Sequence, residues 1–190
     1  MILNIRGTSG AGKSYIIYSL IKEYGSTEIL DKYGKVEMTQ IGIFKTPIFV
    51  VGKYNPEYKC GGADSIRTSK DGTKAQDRIC DLIRKYSNVG NVIFEGLIIS
   101  GLSSRYINLD KKLGIRWVWA FLDTSKELCI ERVLDRNGGM PFNEENLTKK
   151  HHQVENAMRN AKEAGREVIR IGHEKSLEQI RSILGLNRQG

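Results

Sequence analysis

Cysteine, proline and long apolar runs are all scarce in this chain of 190 residues. The three cysteines, Cys60, Cys80 and Cys129, are an odd and scattered set with no Cys-x-x-Cys pair. Such a set makes neither a disulfide framework nor a zinc site, and it reads as reduced thiols of a cytoplasmic protein. The three prolines, Pro47, Pro56 and Pro141, leave no Pro-rich linker, and no internal repeat or low-complexity tract is present. No apolar run approaches the ~18–20 residues that span a bilayer, so no membrane segment is expected. The opening Met1-Ile-Leu-Asn-Ile-Arg-Gly7 lacks a basic segment followed by a long apolar one, and does not read as a secretory signal.

What is present fits one α/β domain. Hydrophobic residues make up 39% and charged residues 27%, enough apolar material for a core and too much for wholesale disorder. Thirty Lys and Arg against 22 Asp and Glu give a net charge of +8, and the excess lies in the first 120 residues. That balance favours polyanionic partners or phosphorylated ligands, although a solvated basic surface would carry it equally well.

Short apolar runs alternate with helical patterns, which predicts a mostly parallel sheet wrapped by helices. Strands are expected over Met1–Arg6, Asn91–Phe94, Ile115–Leu122 and Arg166–Ile171. Val36–Phe44 and Ile48–Tyr54 are β-like on either side of Pro47, as a hairpin or as an irregular insertion. Helices are expected over Lys13–Tyr24, around Ala75, Ile79, Leu82, Ile83 and Tyr86, over 143–164, and around Leu177, Ile180 and Leu184. Thr124 and Glu127 fit a capping box, predicting a helix from there to about Arg136, closed by Asn137-Gly138-Gly139.

Gly7-Thr8-Ser9-Gly10-Ala11-Gly12-Lys13-Ser14 matches G-x-x-x-x-G-K-[ST] in full, between a predicted strand and a predicted helix. Glycines let successive backbone N–H groups converge, and the helix start adds partial positive charge. Lys13 reaches the β- and γ-phosphates and Ser14 offers its hydroxyl to Mg²⁺. Nucleotide binding by residues 7–14 is therefore expected, with no Asn-Lys-x-Asp element to read guanine.

Two acids end predicted strands. Asp123 precedes the capping box and reads as a helix-start acid. Glu95 follows Val92-Ile-Phe94, at the carboxyl end of a core strand where ligands of open α/β sheets sit. It is a candidate both for a Mg²⁺ site with Ser14 and for the general base, with surface ion pairing as the plainer alternative. Arg132 and Arg136 share a helix face, a destabilising spacing unless an anion lies between them or Glu131 and Asp135 pair with them. In a phosphotransferase that anion is the transferring phosphoryl group. Strand, Leu-Asp-Thr-Ser, Arg-x-x-x-Arg and a flexible segment resemble the lid region of nucleotide and small-metabolite kinases. About 132–160 is accordingly the expected lid, hinged at Gly138-Gly139.

An acceptor-binding insertion is expected over about 36–72. There Tyr54 and Tyr58 flank Lys53 and Lys59, followed by Gly61-Gly62, Asp64 and Arg67. Aromatics between basic residues suit a stacked base beside a phosphate backbone, and an ordinary solvated loop has the same composition. Asp64 is the second candidate general base.

Ile2–Ser14, Val51-Gly-Lys-Tyr54, Cys60-Gly-Gly-Ala-Asp64, Ile93-Phe-Glu-Gly-Leu97, Leu122-Asp-Thr-Ser125 and Cys129-Ile-Glu-Arg132 together resemble bacteriophage P-loop kinases that act on 5-hydroxymethyluracil in DNA. The resemblance implies a P-loop kinase fold and transfer of the γ-phosphate of ATP, with Mg²⁺, to the hydroxymethyl group of a base flipped out of phage DNA, in the host cytoplasm. The product would be 5-phosphomethyl-uracil, a step toward hypermodified thymine. On this reading Gly7–Ser14 hold the triphosphate, Glu95 or Asp64 activates the hydroxyl, and Arg132 and Arg136 clamp the phosphoryl group. A kinase of a free nucleoside, nucleoside monophosphate or other metabolite shares the P-loop and lid, but a thymidylate kinase would carry Asp-Arg where this chain has Glu95-Gly96. A nucleotide-dependent switch with no acceptor has no use for the arginine pair.

Overall fold

The computed structural model describes residues 1–54 and 61–186; Pro56, Tyr58, Lys59 and Cys60 lie outside the described residues. Seven strands form one sheet in the order β2-β3-β4-β5-β1-β6-β7. They span Ile2–Arg6 (β1), Ser26–Leu30 (β2), Val36–Ile41 (β3), Ile48–Val51 (β4), Asn91–Glu95 (β5), Trp117–Asp123 (β6) and Glu167–Gly172 (β7). From β4 to β7 neighbouring strands run parallel, while β2, β3 and β4 pair antiparallel as an added edge. Val36–Ile41 and Ile48–Val51 are thus a hairpin built into the main sheet. The expected insertion begins as sheet and leaves it only after Val51.

Strands β1, β4, β5 and β6 are buried on both faces, and their alternation sorts side chains into two cores. Ile2, Phe94, Trp117, Trp119 and Phe121 point to one, with the buried faces of α2 (Ala75–Ser87), α4 (Ser104–Leu113) and most of α6 (Glu144–Glu163). Leu3, Ile5, Ile93, Val118 and Ala120 point to the other, with α1 (Lys13–Tyr24), α5 (Lys126–Arg136) and α7 (Ser176–Leu184). The result is a three-layer α/β sandwich. A short helix, α3 (Leu97–Gly101), follows β5 directly. Among the described residues no helix is long and apolar enough to cross a membrane.

Helix boundaries follow their local chemistry. Helix α6 starts where the Asn143 side chain accepts the N–H of Asn146, and it buries Leu147, Val154, Ala157, Met158 and Ala161, the periodic residues of the sequence. The second half of the expected lid region is therefore packed into the body. The start of α5 corrects the capping-box expectation. Ser125 caps it, accepting from Leu128 N at 3.2 Å. Thr124 is buried instead, its hydroxyl donating to Ala11 O at 3.0 Å and tying β6 to the loop after β1. Asp123 caps nothing and pairs with Arg170 at 3.3 Å.

The chain runs from β1 toward β5 and β4 on one side and later returns to β6 on the other. The carboxyl end of β1 is thus the switch point at which open α/β sheets bind ligands.

Candidate active site

Residues 7–14 leave β1 as a tight loop that opens α1. Gly12 caps the helix in the left-handed region, with φ of 100°. Gly10 has φ of 81°, and a Cβ there would stand 2.4 Å from the Cys129 carbonyl oxygen. Only glycine lets the loop lie against α5 this closely. No acidic side chain occupies the first turn of α1, so its N-terminal N–H groups are available to an anion. Lys13 is buried, its Nζ folded back onto Gly7 O at 2.8 Å and Thr8 O at 2.9 Å. Burial lowers its pKa, opposed by Glu95 and Asp64.

A cleft of about 530 Å³ covers this loop. Lys13, Ser14, Glu95, Asp64, Arg132 and Arg136 all line it. The candidate residues, separated by up to 123 positions in sequence, are therefore brought together at one place.

Glu95 ends β5 and is 2% exposed. Its Oε1 accepts from the Ser14 hydroxyl at 3.0 Å and from the Tyr54 hydroxyl at 3.0 Å. Burial pushes its pKa up, partly offset by Lys13 and by these two hydrogen bonds. The surface-pairing alternative is thereby excluded. Close approach depends on Gly62, where a Cβ would stand 2.5 Å from Glu95 Oε1.

Asp64 lies in the same cleft, but its oxygens are already engaged. Oδ2 accepts Leu97 N at 2.5 Å and Oδ1 accepts Ile98 N at 3.4 Å, so it closes the N-terminus of α3. Gly96 leaves the space, since a Cβ there would meet Oδ1 at 2.8 Å.

Arg132 and Arg136 face the loop across the cleft. Arg132 donates to Gly10 O at 3.3 Å and Arg136 to Ser9 Oγ at 3.2 Å. Neither makes an ion pair with Glu131, Asp135 or any other described residue. Two guanidiniums without an acidic partner over this loop could hold an anion between them.

The pairing of Ser14 with Glu95 fits a Mg²⁺ site: a hydroxyl and a carboxylate oxygen 3.0 Å apart beside the phosphate loop. Among the described residues no group of three or more His, Cys, Asp or Glu could hold a metal by itself, so substrate phosphates would complete the coordination.

Sequence reasoning missed Arg6. It ends an apolar strand, yet it is wholly buried and has no carboxylate partner among the described residues. Its Nε donates to Asn4 Oδ1 and its Nη1 to Ser100 O and Leu102 O at 3.3 and 2.8 Å. The guanidinium carbon lies 4.2 Å from the Trp119 ring centre, a cation–π contact, and burial lowers its pKa to about 9. Ser100 Oγ in turn accepts Gly7 N at 3.2 Å. Arg6 and Ser100 thus bolt α3, which follows Glu95, to the start of the phosphate loop. The only sequence signal was an arginine at the end of an otherwise apolar run.

Comparisons with known proteins give the family. The family model described as 5-hmdU DNA kinase matches residues 1–171. The chain is 27% identical over 185 residues to a 5-hmdU DNA kinase of Pseudomonas phage M6, covering 96% of each chain. It is 30% identical over 192 residues to the 5-hmdU DNA kinase of Pseudomonas phage PaMx11, again covering 96% of both. Among solved structures, a chain from the PezAT chromosomal toxin–antitoxin system of Streptococcus pneumoniae aligns with a TM-score of 0.53 at 19% identity, covering 98% of this chain and 79% of that one. That likeness concerns the fold alone.

Proposed function

This chain belongs to the 5-hmdU DNA kinase family, and we propose on that premise how its cleft phosphorylates 5-hydroxymethyluracil in phage DNA. The observation that carries the reading is the convergence of Lys13, Ser14, Glu95, Arg132 and Arg136 on one cleft at the end of β1.

ATP is the donor. Its α- and β-phosphates sit on the N–H groups of the loop and the start of α1, and Lys13 turns from the Gly7 and Thr8 carbonyls to the β- and γ-phosphates. Ser14 would hold Mg²⁺, which would supply charge neutralisation on the phosphates, with Glu95 beside it accepting the Ser14 hydroxyl. Arg132 and Arg136 close on the equatorial oxygens of the moving phosphoryl group.

A primary alcohol is a weak nucleophile, so the site must position it and take its proton. The hydroxymethyl oxygen attacks the γ-phosphorus. A new O–P bond forms, the bond to the β-phosphate oxygen breaks, and ADP leaves with that electron pair. The hydroxyl proton passes to the Glu95 carboxylate, whose raised pKa makes it a better acceptor than an exposed glutamate. Asp64 keeps α3 in place through Leu97 N and Ile98 N. The substrate base is flipped out of the duplex, because its hydroxymethyl group is unreachable within the stack. The net charge of +8 suits the DNA backbone.

The test is transfer from γ-labelled ATP to three acceptors in parallel: duplex DNA containing 5-hydroxymethyluracil, matched ordinary DNA, and free nucleosides and nucleotides. Label on the modified DNA alone, recovered on the base after digestion, is the expected result. Label confined to a free nucleoside or nucleotide would overturn it.

A further inference from the structure

A second cavity of about 590 Å³ adjoins the phosphate cleft and shares Ser9, Leu97, Arg136 and Asn137 with it. It adds Thr8, the turn after α5 at Phe142, and one face of α6. Its position relative to the triphosphate follows from the loop. The α- and β-phosphates belong to the start of α1, whereas Lys13 Nζ reaches back to the carbonyls of Gly7 and Thr8. The γ-phosphate end of the cleft is therefore the Thr8–Ser9 end, the end at which the second cavity joins.

We propose that this second cavity is the pocket for the flipped-out 5-hydroxymethyluracil base. The assignment rests on the DNA kinase reading and adds to it the residues that select the base. The cavity volume suits a nucleotide. Leu97 and Leu147 give it apolar walls, and the partly buried Phe142 supplies an aromatic face on which a pyrimidine can stack.

The uracil edge presents O2 and O4 as acceptors and N3–H as a donor. Reading it requires side chains that both donate and accept. The Asn146 and Gln153 carboxamides do this, and among the described residues neither makes a side-chain hydrogen bond. They lie two turns apart on α6. Gln153 reaches to α3, where a Cβ on Gly101 would stand 3.1 Å from its Oε1. Lys150, between them, has no ion-pair partner among the described residues, unlike Lys149, which pairs with Glu145 at 2.7 Å. It is placed to meet a phosphate beside the flipped nucleotide. On the remaining wall, Thr8 buries its hydroxyl with no hydrogen-bond partner, which a polar ligand at this end of the cavity would satisfy.

The experiment uses Asn146→Leu and Gln153→Leu separately in the full chain. Both positions are exposed, so the fold should hold, as a thermal melt checks. Transfer is measured against a duplex carrying one 5-hydroxymethyluracil. Each variant should lower kcat/KM for DNA by about 10- to 100-fold, with KM for ATP unchanged. Lys150→Ala should weaken DNA binding and flatten its salt dependence. Unchanged kcat/KM for DNA in both leucine variants would overturn the pocket, as would a rise in KM for ATP, which would place the donor's base there. Wild-type protein that labels free nucleosides but not DNA would defeat the function reading instead.

Discussion

Tyr54→Phe removes one oxygen atom and tests the chemistry of Glu95 directly. The Tyr54 hydroxyl donates to Glu95 Oε1 at 3.0 Å, and both side chains are buried. Phenylalanine keeps the edge-on packing against Tyr18, whose ring centre lies 5.8 Å away. A hydrogen bond to a charged group contributes about 1.5–3 kcal/mol. It favours the carboxylate over the acid, so its loss should raise the Glu95 pKa by the equivalent of that free energy. The shift adds to the elevation that burial already causes. In the proposed mechanism Glu95 acts as a carboxylate, both toward the substrate proton and beside Ser14. Turnover therefore falls on the acid side as Glu95 protonates. In Tyr54→Phe the acid limb of the kcat–pH profile should move to higher pH by that amount, with the plateau at alkaline pH nearly restored. The assay is labelled-phosphate transfer under saturating ATP and DNA over about pH 5 to 9. An acid limb that stays in place, in a variant that melts cooperatively, would refute the reasoning and remove Glu95 as the titrating base.

Glu95→Gln should lower kcat by about 10²–10⁴-fold with little change in ATP affinity. The same variant should melt higher at neutral pH. A buried acid with a raised pKa binds more protons folded than unfolded, so stability falls as pH rises through that window, and glutamine escapes this loss. Removing either guanidinium, by Arg132→Ala or Arg136→Ala, should cost about 10²–10³-fold in kcat, read in single-turnover transfer, because each acts on charge that develops in the reaction. Asp64→Asn should keep most activity, since the amide oxygen still accepts Leu97 N, whereas Asp64→Ala should lower stability by about 0.5–2 kcal/mol in denaturant unfolding. Loss of turnover in Asp64→Asn equal to that in Glu95→Gln would transfer the base role to Asp64. Arg6→Met should destabilise by about 2–4 kcal/mol in the same assay, because Asn4 Oδ1, Ser100 O and Leu102 O lose their donor inside the core. A melting temperature at or above that of the wild type would mean that burying the guanidinium costs more than its hydrogen bonds return.

What the sequence made legible and what it hid divide along one physical line. The turn over residues 7–14 was readable because its requirement is local: glycines at fixed offsets allow a backbone turn that no other residues allow, and Lys13 and Ser14 follow on the same turn of helix. Helix α6 was readable because Leu147, Val154, Met158 and Ala161 bury one face at helical spacing. Local rules failed wherever a distant group decided the outcome. Thr124 satisfies the capping-box pattern with Glu127 and Ser125 does not, yet the Thr124 hydroxyl is claimed by Ala11 O, a residue 113 positions away, and Ser125 caps the helix. Strand β2 is mostly exposed and carries no apolar alternation, and it exists because β3 offers it an edge.

The same line runs through the site itself. In the sequence Asp64 and Glu95 are both candidates for the general base. What separates them is the company each keeps after folding. Backbone N–H groups of α3 engage both oxygens of Asp64 and fix it as a structural acceptor. Glu95 receives its hydrogen bonds on Oε1 from the Ser14 and Tyr54 hydroxyls, and burial pushes its pKa up. Arg6 completes the division of labour. It holds Ser100 and Leu102, and through Ser100 the start of the loop over residues 7–14, so the backbone that carries Glu95 into the cleft is fixed to the backbone proposed to cradle the phosphates. A transfer reaction with an oxygen nucleophile needs those two pieces held in register to within a fraction of an ångström. A buried cation without a carboxylate partner is a costly way to achieve that, and its position at the junction of the two pieces accounts for why the fold retains it.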